Sequence, residues 1–215
     1  MKAVAIKIVV RALVAVFLAL TSLTNLTLAA EQDAKKAAAS HVETLCAEAD
    51  AVLTDNALSQ DERQWNFGRL IVSSMDFNAM GRFVLAEHWQ RAAKHEQVEF
   101  QRLLADYIVM SFGRHLDSIP RIQMRVMAAR QLSANAMSIR SHVQLGEDGA
   151  KLHVDWRLRN DGGDWRIFDI VVQGISVASV FRSEFVSVIK ANGGEVEGLL
   201  QKLRGKTATV ASLAS

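Results

Sequence analysis

Few residues in this chain could do chemistry, and their spacing argues against it. The six histidines are His41, His88, His95, His115, His142 and His153. None stands at the close helical or finger-type spacing of a metal site, and Cys46 has no second cysteine to assist. His142 and His153 fall on expected strands, with His153 on the polar side of its strand, and both read as solvated. Ser176 sits in Gly174-Ile175-Ser176-Val177-Ala178, which lacks the second glycine of a nucleophile elbow and implies no base. A serine directly before a helix is an N-cap instead. Asp169 lies within an apolar strand and could be a shifted acid. Its ordinary alternative is an arginine partner, with Arg182 the candidate, or capping by backbone amides. The glycine-rich turns join strand to strand with no following helix, so they are not phosphate loops. The inventory contains no catalytic group, metal site or cofactor motif. The strand Trp165–Gln173 and the helix after it are nearly all apolar, which suits holding something greasy.

The elements around these residues follow from patterning. A basic start (Met1-Lys2, then Lys7 and Arg11), the apolar run Ala12–Leu20 and small residues at Ala29-Ala30 make an export signal, with cleavage expected near Ala29. The run is shorter than the ~20 apolar residues a bilayer span needs, and Cys46 is too distant to be a lipoprotein cysteine. Residues 1–29 are therefore set apart, 30–205 form one domain, and 206–215 form a flexible tail. Removing Lys2, Lys7 and Arg11 leaves 22 basic against 23 acidic residues, so no basic excess points to nucleic acid. A lone cysteine leaves the fold to stand on packing.

Apolar residues at helical spacing predict helices over Ala34–Leu53, Asp61–Met75 and His95–His115. Ser59-Gln60-Asp61-Glu62 is a capping box for the second, whose Trp65, Leu70 and Val72 approach a common face. Asp76–Ala86 reads as a short helical region interrupted near Gly81. Pro120 ends the helical half, and the period then shortens. Strands follow over Ile122–Leu132, Ala136–Leu145, Lys151–Arg159 and Trp165–Gln173, joined by tight turns at Gly146–Gly149 and Asn160–Gly163, hence antiparallel. Helices over Val177–Ala191 and Val196–Leu203 close the chain. The expected class is α+β: a helical N-terminal half packed on a curved antiparallel sheet of about four strands. The last strand is apolar on both sides, with Ile167 and Val171 together and Phe168, Ile170 and Val172 crowding the rest.

The C-terminal half resembles the MlaC family of periplasmic phospholipid-binding proteins from the lipid-asymmetry (toluene-tolerance) ABC transport system. Gly163-Asp164-Trp165-Arg166-Ile167-Phe168-Asp169-Ile170 is similar to the family's Gly-x-Trp-x-Val-Tyr-Asp-Val. Gly174-Ile175-Ser176-Val177 is similar to its Gly-Val-Ser-Leu, and Phe181-Arg182-Ser183-Glu184-Phe185 to its Tyr-Arg-Ser-Gln-Phe. Phe83 to Trp89 resembles the Phe-x-Leu-Gly-x-x-Trp region, and Phe100 with Leu103-Leu104-Ala105-Asp106-Tyr107 the helix that follows it. Departures are Val180 for Asn, Phe181 for Tyr and Ala86 for Gly.

The resemblance implies a nuclear-transport-factor-2-like fold with an internal apolar pocket for acyl chains. It also implies a monomeric periplasmic carrier, not an enzyme, with no cofactor beyond the transported phospholipid. Its partners would be an outer-membrane lipoprotein–porin complex and an inner-membrane ABC transporter complex. Some family members are associated with hopanoid biosynthesis, so a hopanoid is an alternative cargo, and a non-lipid-binding adaptor an alternative role. Two acyl chains expose about 30 methylenes at about 0.8 kcal/mol each, about 24 kcal/mol in water. A carrier must match the bilayer with an apolar cavity. Expected lining residues are Tyr107, Ile108, Met124, Val126, Val154, Trp156, Ile167, Val171, Ile175 and Phe181, although periodicity alone does not separate lining from filled core. Arg182 is the expected headgroup contact, with Asp169 or Glu184 as alternative partners.

Overall fold

The computed structural model describes residues 31–113, 121–146 and 149–211. The expected signal peptide, Pro120, the end of the helix expected to reach His115, and Glu147-Asp148 of the first turn lie outside them. The chain divides into a segment ending at Ala37 and a compact body from Ala38 onward. The first segment's described residues are helical, with a Lys35–Glu31 ion pair of 2.6 Å.

Within the body, helix α1 covers residues 38–54. It is followed by α2 (Gln60–Ser74), α3 (Phe77–Leu85), α4 (Glu87–Arg91) and α5 (Lys94–Gly113). The capping box forms as expected: the Ser59 hydroxyl accepts the Glu62 N–H at 3.3 Å, and the Glu62 carboxylate accepts the Ser59 N–H at 2.8 Å. Gly81 does not interrupt α3. A Cβ there would stand 3.0 Å from the Trp89 ring, so the glycine admits the aromatic face of α4 against an unbroken helix. Ala86, between the two, is held at φ 53°, ψ −125°, a conformation suited to glycine.

The sheet is an antiparallel meander in order β1-β2-β3-β4-β5: β1 (Ile122–Ser133), β2 (Ala136–Leu145), β3 (Lys151–Arg159), β4 (Arg166–Val172) and the two-residue β5 (Ile175–Ser176). The expected α+β architecture is what the chain adopts, with β5 an addition to the four expected strands. Gly174, at φ +84°, makes the reversal between β4 and β5. Helices α6 (Val177–Ala191) and α7 (Val196–Ala211) follow. Helix α7 does not stop at Leu203: it continues through Gly205, and Lys206 bonds Glu184 at 3.2 Å and the Tyr107 hydroxyl at 3.4 Å. That anchoring converts the start of the expected tail into helix.

The body has two apolar centres. The first is a filled helical core where α3, α5, α6 and α7 meet. Phe100 and Phe185 cross edge-to-face at 6.0 Å there, among buried Met80, Leu104, Ile189 and Leu200. The second lies between the sheet and the helices α1 and α2, and it is not filled.

Candidate functional site: an apolar cavity between sheet and helices

Every β-strand offers alternate residues to opposite sides, so register decides what each side carries. The pairs Met124↔Val143, Val143↔Leu152 and Ser141↔Val154 carry an inward row across β1, β2 and β3. In β4 the alternation breaks. Arg157 pairs with Asp169 but Leu158 pairs with Ile167, leaving Phe168 as an extra residue. This bulge puts Ile167 on the same side as Ile170 and Val172, opposite Leu158, Trp156 and Val154. The expected grouping of Ile167 with Val171 is therefore corrected. Val171 shares the other side with Asp169 by ordinary alternation, and the inserted residue moves Ile167 away from that side.

The inward row encloses a cavity of ≈ 270 Å³. The helical wall comes from Leu45, Cys46 and Ala49 of α1, and from Phe67, Leu70, Ile71 and Ser74 of α2. Met75, Met80 and Ile108 close one side, and Ile122, Val143, Val154, Trp156, Ile167, Ile170, Val172 and Val177 complete the lining. Its few polar atoms are engaged elsewhere. The Trp156 indole N–H donates to the Ser141 hydroxyl at 2.9 Å, which donates to the Val154 carbonyl at 3.3 Å. The Ser74 hydroxyl donates to the Ile71 carbonyl at 3.1 Å. Burial pushes the Cys46 thiol up to about 12, so it meets the cavity as a neutral, apolar group. Among the described residues, no ionisable group other than this thiol lines the space, and hydrocarbon is what such a surface can accept.

Of the expected lining residues, the structure brings Ile108, Val154, Trp156 and Ile167 to the cavity. Met124 and Val126 face inward from β1 but lie beyond it, where Ile122 is the strand's contribution. Tyr107 and Phe181 belong to the helical core: Phe181 stacks on Phe185 at 5.7 Å, and Tyr107 meets both rings edge-on with Lys206 above it at 4.7 Å. Val171 is buried outside the cavity, and Ile175 is 64 % exposed in β5. Arg182 reaches neither Asp169 nor Glu184 and lies over the Phe83 ring at 5.2 Å. Asp169 is held instead by Arg157 at 2.9 Å, by the Ser176 hydroxyl at 2.8 Å and by the Ala178 N–H at 3.0 Å. Ser176 in turn accepts the Ser179 N–H at 3.0 Å. The Gly-Ile-Ser segment is thus a strand-to-helix corner, with its carboxylate beside the positive end of α6.

Most of the cavity's helical wall escaped the reading of the sequence. Phe67, Leu70, Ile71 and Ser74 stand at i, i+3, i+4 and i+7, a stripe visible in the sequence. The expected common face of Trp65, Leu70 and Val72 does not hold: Leu70 belongs to this stripe, and Trp65 and Val72 do not. Both are exposed, at 62 % and 47 %, on the opposite side of α2, where Arg69 covers the Trp65 ring at 4.5 Å. They border a larger groove of ≈ 1000 Å³ shared with α5 and α7. That groove is open and edged by Arg69, Arg102 and Arg204, two of which are paired with carboxylates. The smaller space is the better hydrocarbon site because its lining is apolar on every side.

Fold and site together define an α+β protein with an apolar-lined cavity between its sheet and its first helices. The model of the family described as MlaC protein matches residues 43–205, and the chain belongs to that family. It is 23% identical to the toluene tolerance protein ttg2D of Pseudomonas putida over 141 residues, spanning 65% of each chain. It is 20% identical to the intermembrane phospholipid transport system binding protein MlaC of Haemophilus influenzae, over 73% of this chain and 77% of that one. Among solved structures, the phospholipid-binding protein of Ralstonia solanacearum, in complex with a phospholipid, superposes with a TM-score of 0.70 at 21% identity. That match covers 81% of this chain and 98% of the other.

Proposed function

We propose that this chain is a periplasmic phospholipid carrier. It takes acyl chains into the cavity between the sheet and α1–α2, and it exchanges lipid between an outer-membrane lipoprotein–porin complex and an inner-membrane ABC transporter, so maintaining outer-membrane asymmetry. The observation that carries the reading is the cavity's lining, where each hydroxyl and the indole N–H is already bonded within the protein. Family membership and the phospholipid named with two similar proteins support it. Cavity and bilayer interior are both apolar, so transfer between them is near neutral and reversible, as shuttling requires. A volume of ≈ 270 Å³ is just under the about 300–1,000 Å³ of typical ligand pockets. Two chains therefore part the walls, and the adaptable side chains Met75 and Met80 ease that change.

The test is organic extraction of the purified mature protein, followed by incubation of the delipidated protein with phospholipid vesicles. Co-purified phospholipid and uptake at about one lipid per chain are expected. A protein that arrives empty and stays empty would sink the carrier reading.

A further inference from the structure

The outward side of the sheet carries a charge pattern that a cavity does not need. Residues 38–113 hold 6 basic and 11 acidic residues, whereas residues 121–166 hold 8 basic and 5 acidic. A mature chain close to neutral is therefore polarised, its sheet basic and its first helices acidic. Register places the sheet's cations on one side, in the outward rows Gln123↔Gln144↔Lys151, Arg125↔His142↔His153 and Arg130↔Ser138↔Arg157. Some of the charge is neutralised locally. Arg140 makes a two-pronged pair with Asp155 (2.8 and 3.1 Å), Arg157 pairs with Asp169, and Arg159 pairs with Asp161. Arg125, Arg130 and Lys151 are exposed and make no ion pair among the described residues.

The edge strand β1 adds a second feature. Its two register shifts fall between Val126 and Ala128 and between Gln131 and Ser133. The residues at those shifts, Met127 and Leu132, are apolar and exposed, at 49 % and 37 %. Each lies two residues from an unpaired arginine, in the order Arg125, Met127, Arg130, Leu132. Cations interleaved with protruding apolar side chains match a lipid surface, where phosphates take the charge and the headgroup layer takes the apolar tips. A further strand is a poor occupant, because the two shifts break the edge that it would have to follow.

We infer that the outward side of β1–β3, with the β1 edge, is a docking surface for an anionic phospholipid bilayer. This goes beyond the carrier role and does not depend on it, since none of these side chains lines the cavity. The probe is flotation of the full mature protein with vesicles of phosphatidylcholine alone and of phosphatidylcholine and phosphatidylglycerol in equal parts. Binding is expected only to the anionic vesicles, with loss at high salt. At about 1 kcal/mol per cation near the surface, Arg125→Gln with Arg130→Gln should weaken partitioning about 30-fold while leaving the unfolding curve unchanged. Met127→Ser with Leu132→Ser should weaken it by a smaller factor. Equal flotation with both vesicle types, undiminished binding by the arginine variant, or binding to polyglutamate without binding to vesicles would each overturn the inference. Lipid uptake without flotation would remove the docking surface and leave the carrier function standing; flotation of a protein that never takes up lipid would do the reverse.

Discussion

The two sides of one sheet do opposite things with the same strands. Inward, Val154 and Trp156 face an unfilled apolar space; outward, the alternating His153, Asp155 and Arg157 carry polar and charged groups. The His142 and His153 rings, expected to be solvated, meet across the outward strands at 3.1 Å. The contrast is sharpest in β4, where a single extra residue, Phe168, brings Ile167 to the cavity side with Ile170 and Val172, while Val171 and Asp169 alternate to the other side. One side is wholly aliphatic and becomes a cavity wall; the other carries the Asp169 carboxylate and becomes a structural corner.

The largest expected effect breaks that corner. Asp169→Ala strands the Arg157 guanidinium and removes acceptors from Ser176 and the Ala178 amide, so unfolding free energy should fall by about 3 kcal/mol in urea titrations. A loss below about 1 kcal/mol would mean that the corner holds without its carboxylate.

Next is the inward side. With its thiol raised to about 12 by burial, Cys46 should react with maleimide at pH 8 at least about a hundredfold more slowly than free cysteine. Bound lipid should slow it further. Reaction as fast as the free thiol would place Cys46 outside a closed wall.

Neighbouring substitutions then separate the sides directly. Val172→Trp should reduce lipid retention about tenfold by filling the cavity. Val171→Trp should overpack the other side, costing about 1–3 kcal/mol of stability while the remaining folded protein still binds lipid. The same lipid loss in both variants would erase the distinction between the two sides of β4.

Ala86→Gly touches neither side and relieves a backbone held at φ 53°. A gain of about 1 kcal/mol in thermal or urea unfolding is expected, and it should offset the destabilisation by Val171→Trp without restoring lipid to Val172→Trp.

The smallest effect is on the outward side. The Arg140 guanidinium hydrogen-bonded to Asp155 holds that carboxyl below its ordinary range. The folded state therefore favours the ionised form. Its contribution is present above the unfolded pKa of about 3.9 and is lost as pH falls through the folded value. Comparing urea midpoints at pH 7 and pH 2 for the wild type and Asp155→Asn should show about 0.5 kcal/mol of this dependence disappear, and less at high salt.

Much of the architecture was legible beforehand. Strands β2 and β3 and helix α6 have the expected bounds, because strict alternation, turn residues and a capping serine are local signals. The capping box at Ser59 and Glu62 is local too. The site was less legible. Trp156 and Ile167 were recognisable as apolar and inward, but so were Tyr107 and Phe181, which pack against Phe185 away from the cavity. The stripe Phe67, Leu70, Ile71 and Ser74 was present in the sequence but did not reveal what stood opposite it.

By itself, then, the sequence determined the order and type of the longer helices and strands and the antiparallel meander. Each of these depends on residues near one another along the chain. Tertiary structure alone decided which apolar side chains face a void, which partner holds Asp169 and which side of β4 looks inward. A void is a property of two surfaces that fail to fill each other, and a bulge is a mismatch between two strands. Periodicity reports the direction of a side chain from its own element, but not what the facing element supplies.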